Sequence, residues 1–334
     1  MSMRVMQPGL LTSIQDLGRY GYQKHGVIVG GAMDAYSLRA ANLLVGNHEA
    51  EAALEMTLVG PSLLVKRDAL LAITGGDVLP AVDKQPIPMW RPVYVKEGSV
   101  LEFGACKSGC RAYLAVAGGY DIPAVMGSKS TYLRAGIGGF EGRALKEGDV
   151  LSFQPMGEQS LHLMSSLKQS AGASTFASAS WYAGRGAYPH SFGDITMRVT
   201  RGSQFERFDD SSRHRFYNER FQITPQSDRM GYRLSGPELR LKEPFEMISE
   251  GVCLGTVQVP PDGNPIILLA DRQTAGGYPC IAQVAAVDIP VIAQMRPGDK
   301  LGFEEITLEE AEELYFEREQ DLAEMKIAIG MKIS

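Results

Sequence analysis

Residues 266–279, IILLADRQTAGGYP, place several chemically capable side chains directly after an apolar run of strand length. A carboxylate here can act as a base or hold the neighbouring arginine, and amide and hydroxyl groups can hydrogen-bond a planar amide. Paired glycines let the backbone approach a ligand closely. We therefore predict catalytic roles for Asp271, Gln273 and Thr274, and substrate contacts for Arg272, Gly276, Gly277 and Tyr278. A purely structural strand end is the alternative.

A second cluster, residues 226–233, contains an aspartate followed by two arginines with a glycine between them. An arginine presents a planar fork that can bind a carboxylate through two hydrogen bonds. That carboxylate belongs either to a substrate or to the protein itself, and both interpretations stay open. Under the first interpretation, Asp228 and Arg229 contact the substrate.

Two glycine-rich clusters near the N-terminus are further candidates. Residues 12–26 group polar side chains between glycines, as binding loops do, although an edge strand followed by a turn has a similar pattern. The predicted substrate contacts there are Gln15, Asp16 and Arg19. Residues 30–34, GGAMD, precede a predicted helix, where backbone N–H groups can bind an anion. Asp34 is a predicted substrate contact, with simple capping of the helix as the alternative.

A mainly β scaffold must position these clusters. Short apolar runs are separated by glycines and prolines, of which the chain has 37 and 18. Several connections are too short for a crossover helix, so mostly antiparallel sheet in barrels or sandwiches is expected. Two helices are predicted, one capped by Asp34 and running to Val45, the other starting at a Thr307–Glu310 capping box and ending at Gly330.

A short motif of glycine, a polar residue, leucine and phenylalanine recurs in residues 96–103, 146–153 and 297–303. Its leucine and phenylalanine should face the same side of the strand that follows the turn. The motif is either a common turn device or a sign of two related barrel halves. Residues 157–180 are rich in serine and alanine, which predicts a flexible, exposed linker between the halves.

Composition excludes several classes of function. Hydrophobic residues make up 44% and charged residues 22% of the chain, as in globular proteins, and no apolar run is long enough for a membrane span. The N-terminus does not resemble a signal peptide, so we predict a cytoplasmic protein. Residues 304–334 contain ten acids and three bases, so the remainder of a chain of net charge −6 is close to neutral, which argues against a nucleic-acid surface.

Metal and redox chemistry have little support in the sequence. The five histidines are dispersed, and no pair has the spacing of metal ligands. Cysteines stand at positions 106, 110, 253 and 280, a pattern that favours buried or incidental thiols over a zinc or disulfide site. We predict no metal.

Nine motifs in order resemble one family: GLLTSIQDLGRYGY, GGAMDAYSLRAANLLVGN, LEMTLVGPSL, YLAVAGGYD, GSKSTY, GRALKEGD, SDRMGYRLSG, PIILLADRQTAGGYP and AQMRPGDKLGF. Over about residues 4–305 the chain resembles the C-subunit family of bacterial 5-oxoprolinase, also described as allophanate-hydrolase-subunit-2-like or biotin-dependent-carboxyltransferase-like. The resemblance implies two tandem cyclophilin-like β-barrel domains. With the linker and the last helix, the expected division is 1–156, 157–180, 181–305 and 306–334.

The resemblance also implies partners and a reaction. The A and B subunits of 5-oxoprolinase, of which the B subunit is a Kip inhibitor protein, would complete an ATP-dependent enzyme that opens 5-oxo-L-proline to L-glutamate. The chain would be inactive alone, would hold no tightly bound cofactor and would leave ATP to one of these partners. Its site would lie in the cleft between the two domains. We expect no nucleic-acid or membrane partner.

Two alternatives remain open. One is the carboxyltransferase component of a biotin-dependent urea or amide carboxylase, which needs a biotin carrier that this chain lacks. The other is a regulatory protein, since the chain resembles a Bacillus member that antagonises the Kip inhibitor of a sporulation histidine kinase. The chain departs from the family where residues 26–34 lack a common proline and serine, and where residues 127–131 contain lysine in place of the commoner arginine.

Overall fold

The computed structural model describes residues 2–184 and 193–333. The chain divides into two compact units. Unit 1 contains Met1–Arg19, Asp34–Tyr188 and Gln320–Ser334, and unit 2 contains Tyr20–Met33 and Pro189–Glu319. Each unit has its own hydrophobic core.

Unit 1 is built on two antiparallel six-stranded sheets and two helices. The strands are β1 Ser2–Gln7, β2 Leu11–Gln15, β3 Ala53–Thr57, β4 Ser62–Val65, β5 Ala69–Asp77, β6 Ala81–Val82, β7 Gln85–Pro86, β8 Pro92–Val95, β9 Val100–Glu102, β10 Ser108–Val116, β11 Val150–Ser152 and β12 Phe176–Ser178. The helices are α1 Ala35–Leu44 and α2 Glu158–Ala171. One sheet has the order β11-β1-β4-β9-β6-β7, and the other β12-β8-β5-β10-β3-β2.

Strand alternation decides what each face of the second sheet contacts. On β10, Ala112, Leu114 and Val116 face the hydrophobic core, as Leu54 and Met56 do on β3. The intervening residues face the other side, because successive side chains on a strand point in opposite directions. Helix α1 covers part of that second face, where it packs on β5 and β10.

Unit 2 is a closed seven-stranded barrel with the order β13-β20-β17-β18-β15-β14-β21. Its strands are β13 Asp194–Arg201, β14 Phe221–Ile223, β15 Gly231–Ser235, β17 Thr256–Gln258, β18 Ile266–Leu268, β20 Cys280–Val284 and β21 Lys300–Glu305, with a separate pair of β16 Glu250–Gly251 and β19 Ala275–Gly276. The helices are α3 Asp210–Asn218, α4 Ile289–Ala293 and α5 Leu308–Ile333, of which α5 is divided between the units after Glu319.

The mainly β fold is confirmed. Of the two predicted barrels, the one in unit 2 is a closed barrel, and the one in unit 1 consists of two sheets. The recurring motif behaves as expected, since its leucines and phenylalanines at positions 101, 103, 151, 153, 301 and 303 are all buried in the cores. Both helix caps form. Asp34 accepts the Ser37 N–H, and Thr307 and Glu310 exchange hydrogen bonds as a capping box.

The predicted flexible linker over residues 157–180 is wrong. Helix α2 fills most of it, and β12 pairs with β8 in unit 1. Ser160, Leu163 and Leu167 form a buried stripe on α2 because they repeat every three to four residues. The serine- and alanine-rich composition concealed this helical periodicity. Residues 181–184 are also described, and the rest of the chain up to residue 192 lies outside the described part.

Candidate functional site

The opening motif and the 226–233 cluster come together in unit 2 because their strands pair. Strands β15 and β18 are antiparallel neighbours with Gly231 opposite Leu268. The residues just before β15 therefore lie beside the residues just after β18. The Asp271 N–H donates to the Arg229 carbonyl at 2.8 Å, which extends this pairing. Sequence reasoning predicted both residues as site members but left their pairing open.

Arg229 and Asp271 form a buried bidentate ion pair. Arg229 Nε lies 2.9 Å from Asp271 Oδ2, and Nη2 lies 3.0 Å from Oδ1. The same Nη2 donates to the Gly31 carbonyl at 2.5 Å, so the glycine-rich segment is tied to the pair. Gly30 also lies close, since a Cβ at that position would be 3.7 Å from Asp271 Oδ1. Because both carboxylate oxygens are occupied by a guanidinium, this geometry favours a positioning role for Asp271 over that of a free base.

Arg272 is in a different electrostatic state from Arg229. It is half-buried and makes no ion pair within the described residues. Its Nη1 donates to the Leu269 carbonyl at 3.3 Å and its Nε to the Val252 carbonyl at 3.5 Å, both long contacts. Burial lowers the pKa of Arg272 below the ordinary guanidinium value. A partly desolvated cation without a protein carboxylate is suited to bind a substrate carboxylate.

The next two residues along the chain, Gln273 and Thr274, have side chains that are available to bind a ligand. Gln273 is exposed and Thr274 is half-buried. Within the parts of the chain that the structure describes, neither side chain makes a hydrogen bond to the protein, although the Thr274 backbone carbonyl accepts the Val252 N–H. An amide and a hydroxyl group are thus available beside Arg272 in sequence, which is the donor and acceptor set that a planar amide requires.

Gly276 and Gly277, which follow this segment, differ in how closely they are packed. Strand β19 pairs with β16 through Gly276 opposite Glu250. A Cβ at Gly276 would collide with the amide end of the Gln258 side chain, which would have to move to accommodate a larger residue. Gly277 has no comparable collision. Tyr278 is 42% exposed and is among the residues that line two surface clefts of unit 2.

Asp228 is not part of the buried pair. It is exposed, and its Oδ1 accepts the N–H groups of Met230 and Gly231, so it caps its own turn. The structure thus favours the alternative of an internal ion pair for the 226–233 cluster, with Arg229 pairing to Asp271 instead of to its sequence neighbour.

The N-terminal cluster forms a tightly bonded loop junction in unit 1. Asp16 Oδ1 accepts from Ser128 Oγ at 2.7 Å, Ser130 Oγ at 2.5 Å and the Gly18 N–H at 2.8 Å. Its Oδ2 accepts the Lys129 N–H at 2.6 Å. Residues 127–132, GSKSTY, therefore fold around this carboxylate. The lysine of this segment, Lys129, reaches Glu51 with its Nζ at 2.5 Å.

Gln15 and Arg19 are also fully buried in this junction. Arg19 donates from Nε to the Val125 carbonyl at 2.8 Å and from Nη2 to the Ser130 carbonyl at 2.9 Å. Gln15 Nε2 donates to Ser13 Oγ at 3.0 Å, while its Oε1 is buried without a hydrogen-bond partner in the described residues. Such bonding indicates that Asp16 and Arg19 hold two loops together within unit 1.

A buried polar row in unit 1 escaped the sequence reasoning. Cross-strand register aligns Ser13 on β2, Glu55 on β3, Tyr113 on β10 and Thr74 on β5, each at most 2% exposed. The Tyr113 hydroxyl donates to Glu55 Oε2 at 2.7 Å and accepts the Asp34 N–H at 2.9 Å. Asp34 thus joins this row as well as capping α1.

Burial and the charges of Glu55 and Asp34 raise the pKa of Tyr113 well above its usual value, so the phenol remains a donor. The available signal was the glutamate of LEMTL, in a segment where an apolar strand is otherwise expected. Arg111, also on β10, lies 4.0 Å from Glu55 Oε1 through its Nε. These groups are candidate functional residues because buried ionisable clusters concentrate at sites.

Comparison with known proteins decides the family. A family model described as carboxyltransferase domain, subdomain A and B, matches residues 25–305. The chain belongs to this carboxyltransferase domain family. It is 37% identical to the C subunit of 5-oxoprolinase from Haemophilus influenzae over 96% of both chains. It is 38% identical to the C subunit of 5-oxoprolinase from Escherichia coli strain K12, over 95% of this chain and 97% of that relative.

Solved structures agree with the fold of a carboxyltransferase domain. The crystal structure of the K. lactis urea amidolyase matches 97% of this chain with a TM-score of 0.84 and 31% sequence identity. The chain spans only 20% of that much longer protein. The segments from Gly30 and Gly31 through the Asp271 motif fall within the residues that the family model matches.

Other features of this carboxyltransferase domain concern metals, thiols and membranes. No group of three or more histidine, cysteine, aspartate and glutamate residues is arranged to hold a metal within residues 2–184 and 193–333. Cys106, Cys110 and Cys280 are buried thiols, and Cys253 is an exposed one. None of the described helices is both long and apolar enough to cross a membrane.

Proposed function

We propose that the chain is the C subunit of an ATP-dependent 5-oxoprolinase, which opens the lactam of 5-oxo-L-proline to L-glutamate together with an A and a B subunit. The observation that carries this proposal is the similarity to two 5-oxoprolinase C subunits over 96% and 97% of their own lengths. The urea amidolyase, in contrast, contains the matching region as a fifth of a larger chain.

The unit 2 site suits this substrate chemically. 5-Oxoproline carries a carboxylate and a planar cyclic amide. Arg272, half-buried and without an ion-pair partner in the described chain, is the proposed carboxylate ligand. Gln273 and Thr274 are the proposed ligands of the lactam, because an amide and a hydroxyl group can donate to its carbonyl and accept from its N–H. The Arg229–Asp271 pair fixes the strand end from which all three project.

The partners complete the reaction in this proposal. ATP is used on one of the partner proteins, and this chain holds no tightly bound cofactor. The B subunit is a Kip inhibitor protein in the family that the sequence resembles. Binding it would also withhold it from its histidine kinase, so antagonism of the inhibitor would follow from the same complex.

Transfer of a carboxyl group from carboxybiotin to urea is the second candidate. It is favoured by the close structural match to the urea amidolyase, at a TM-score of 0.84. Urea shares the planar amide but lacks the carboxylate. On this alternative Arg272 would have no anionic group of the acceptor to bind, and a biotin carrier would have to be supplied by another protein.

Reconstitution of the enzyme tests the proposal. The chain is mixed with the purified A and B partners, and ATP hydrolysis is measured with 5-oxoproline, with urea and without substrate. We expect 5-oxoproline-dependent hydrolysis and glutamate formation that require this chain, with no response to urea. Equal turnover without the chain would contradict the proposal. Carboxylation of urea by the chain with a carboxybiotin carrier, but no activity on 5-oxoproline, would establish the second candidate.

A further inference from the structure

Helix α5 has one face buried on its own chain. With 26 residues it is about 39 Å long, and Leu322, Ile329 and Ile333 are almost fully buried. Arg318 supports the N-terminal half by donating from Nη1 to the Ala286 carbonyl at 2.9 Å. The helix lies beyond residues 25–305, which the carboxyltransferase family model matches. Its role is therefore separable from that of the unit 2 site.

The opposite face of α5 carries an exposed apolar stripe. Phe316 is 68% exposed, Ile327 59% and Met331 76%, and Ala323 is exposed between them. Positions 316, 323, 327 and 331 fall on one side of a helix, because steps of seven and four residues return to nearly the same direction. Single exposed apolar side chains are normal, but an aligned set along about four turns is typical of a docking surface.

Acidic residues border this stripe on both sides. Glu313, Glu317 and Glu324 follow one edge and Glu312 lies on the other, all exposed. None of the four makes an ion pair in the described structure. Glu313 and Glu317 are four residues apart, a like-charge spacing that weakens an isolated helix. The helix therefore keeps unneutralised charge beside exposed apolar groups, at a cost to its own stability.

We propose that this stripe docks a basic amphipathic helix of a partner protein, with apolar side chains on Phe316, Ile327 and Met331 and with lysine or arginine facing the glutamates. Charge complementarity selects this occupant. A second copy of the chain would bring acidic edges together, since residues 304–334 hold ten acids against three bases. An anionic membrane surface would be repelled for the same reason. The partner fits the multi-subunit enzyme proposed above, but the surface does not depend on that function.

A labelled synthetic helix tests the proposal directly. The probe is a peptide of about 18 residues, long enough to form a helix, with a leucine and isoleucine stripe bordered by lysines, and its control has the same composition in scrambled order. Fluorescence anisotropy with the full chain measures binding at several salt concentrations. Three variants are compared: Phe316→Ser with Ile327→Ser, Glu313→Gln with Glu317→Gln and Glu324→Gln, and the control Leu10→Ser, which removes an apolar side chain that is 65% exposed outside α5.

We expect the chain to bind the probe, the scrambled peptide to bind at least about tenfold more weakly, and the serine pair to lose at least about tenfold in affinity. The glutamine triple variant should lose affinity and most of the salt dependence, while Leu10→Ser should bind as wild type does. Circular dichroism confirms that each variant keeps its helix content. No binding by wild type, or equal binding by the serine pair or by the scrambled peptide, would overturn the proposal. So would a wild-type dimer in light scattering that the serine pair converts to monomer.

Discussion

Two buried aspartates, Asp16 in unit 1 and Asp271 in unit 2, stand in similar sequence patterns but are bound by different kinds of hydrogen-bond donor. Each follows a strand and stands in a polar, glycine-containing segment. Asp16 is bonded by two serine hydroxyls and two backbone N–H groups, all neutral. Asp271 is bonded through both oxygens by the Arg229 guanidinium.

The residues around the two aspartates differ more than the aspartates themselves. Gln15 and Arg19 are fully buried. Arg272 and Thr274 are only half-buried, and Gln273 is exposed without a side-chain hydrogen bond in the described residues. The polar groups around Asp16 bind the two loops to each other. The segment after Asp271 instead presents a cation, an amide and a hydroxyl group. A polar cluster at a strand end therefore indicates a binding site only where its side chains are not already bonded to the rest of the protein.

Substituting asparagine for Asp271 should have the largest effect. Asp271→Asn removes the carboxylate that binds both Nε and Nη2 of the buried Arg229 guanidinium, so we expect a loss of about 3–5 kcal/mol in the free energy of unfolding. Urea denaturation of the purified chain measures this loss. A change below about 1 kcal/mol, the typical worth of an ordinary hydrogen bond, would show that the pair does not hold the strand end, and would remove the positioning role assigned to Asp271.

The matched change in unit 1 should cost less. Asp16→Asn keeps an acceptor oxygen for the neutral donors but turns an N–H group toward one of them, which predicts a loss of about 1–3 kcal/mol. The same denaturation experiment applies. If Asp16→Asn lowers the free energy of unfolding more than Asp271→Asn does, then the charged partner of Asp271 does not make it the more important of the two aspartates for stability.

Tyr113→Phe should destabilise the chain by about 1–2 kcal/mol at neutral pH, because Glu55 loses a donor and the Asp34 N–H loses an acceptor. The pKa of Tyr113 is raised in the folded chain from a usual 10.0, so the unfolded phenol loses its proton first as the pH rises. Wild-type stability should therefore fall above about pH 10, and the phenylalanine variant should fall less steeply. If the thermal unfolding temperatures of wild type and Tyr113→Phe changed with pH in the same way, the proposed role of the Tyr113 hydroxyl in this row would be refuted.

Sequence patterns predicted what depends on local spacing. The leucine and phenylalanine pairs of the repeated motif, the capping box at Thr307 and the Asp34 cap are all local, and all three are confirmed. The cluster members Arg229 and Asp271 were identified, but their pairing depends on the register of β15 with β18, which no single sequence reveals.

The failures have the same physical origin. The Glu55–Tyr113 row depends on the register of four strands, so only an unexpected glutamate in LEMTL marked it. Helix α2 was hidden because the serine- and alanine-rich composition of residues 157–180 masked its periodicity, which only Ser160, Leu163 and Leu167 carry as buried positions. Direct catalytic or substrate-binding roles for Gln273, Thr274 and Arg272 stay predictions.

Substrate affinity of an Arg272 variant tests the central claim most directly. In the assembled enzyme, Arg272→Gln should raise KM for 5-oxoproline about 10- to 100-fold, because a charge-assisted contact to the substrate carboxylate is lost. Thermal stability should stay within a degree or two, since the half-buried guanidinium has no ion-pair partner in the described chain. Arg233→Gln, which alters an exposed arginine of β15, is the matched control and should change neither quantity. An unchanged KM for Arg272→Gln, with the control also unchanged, would contradict the account.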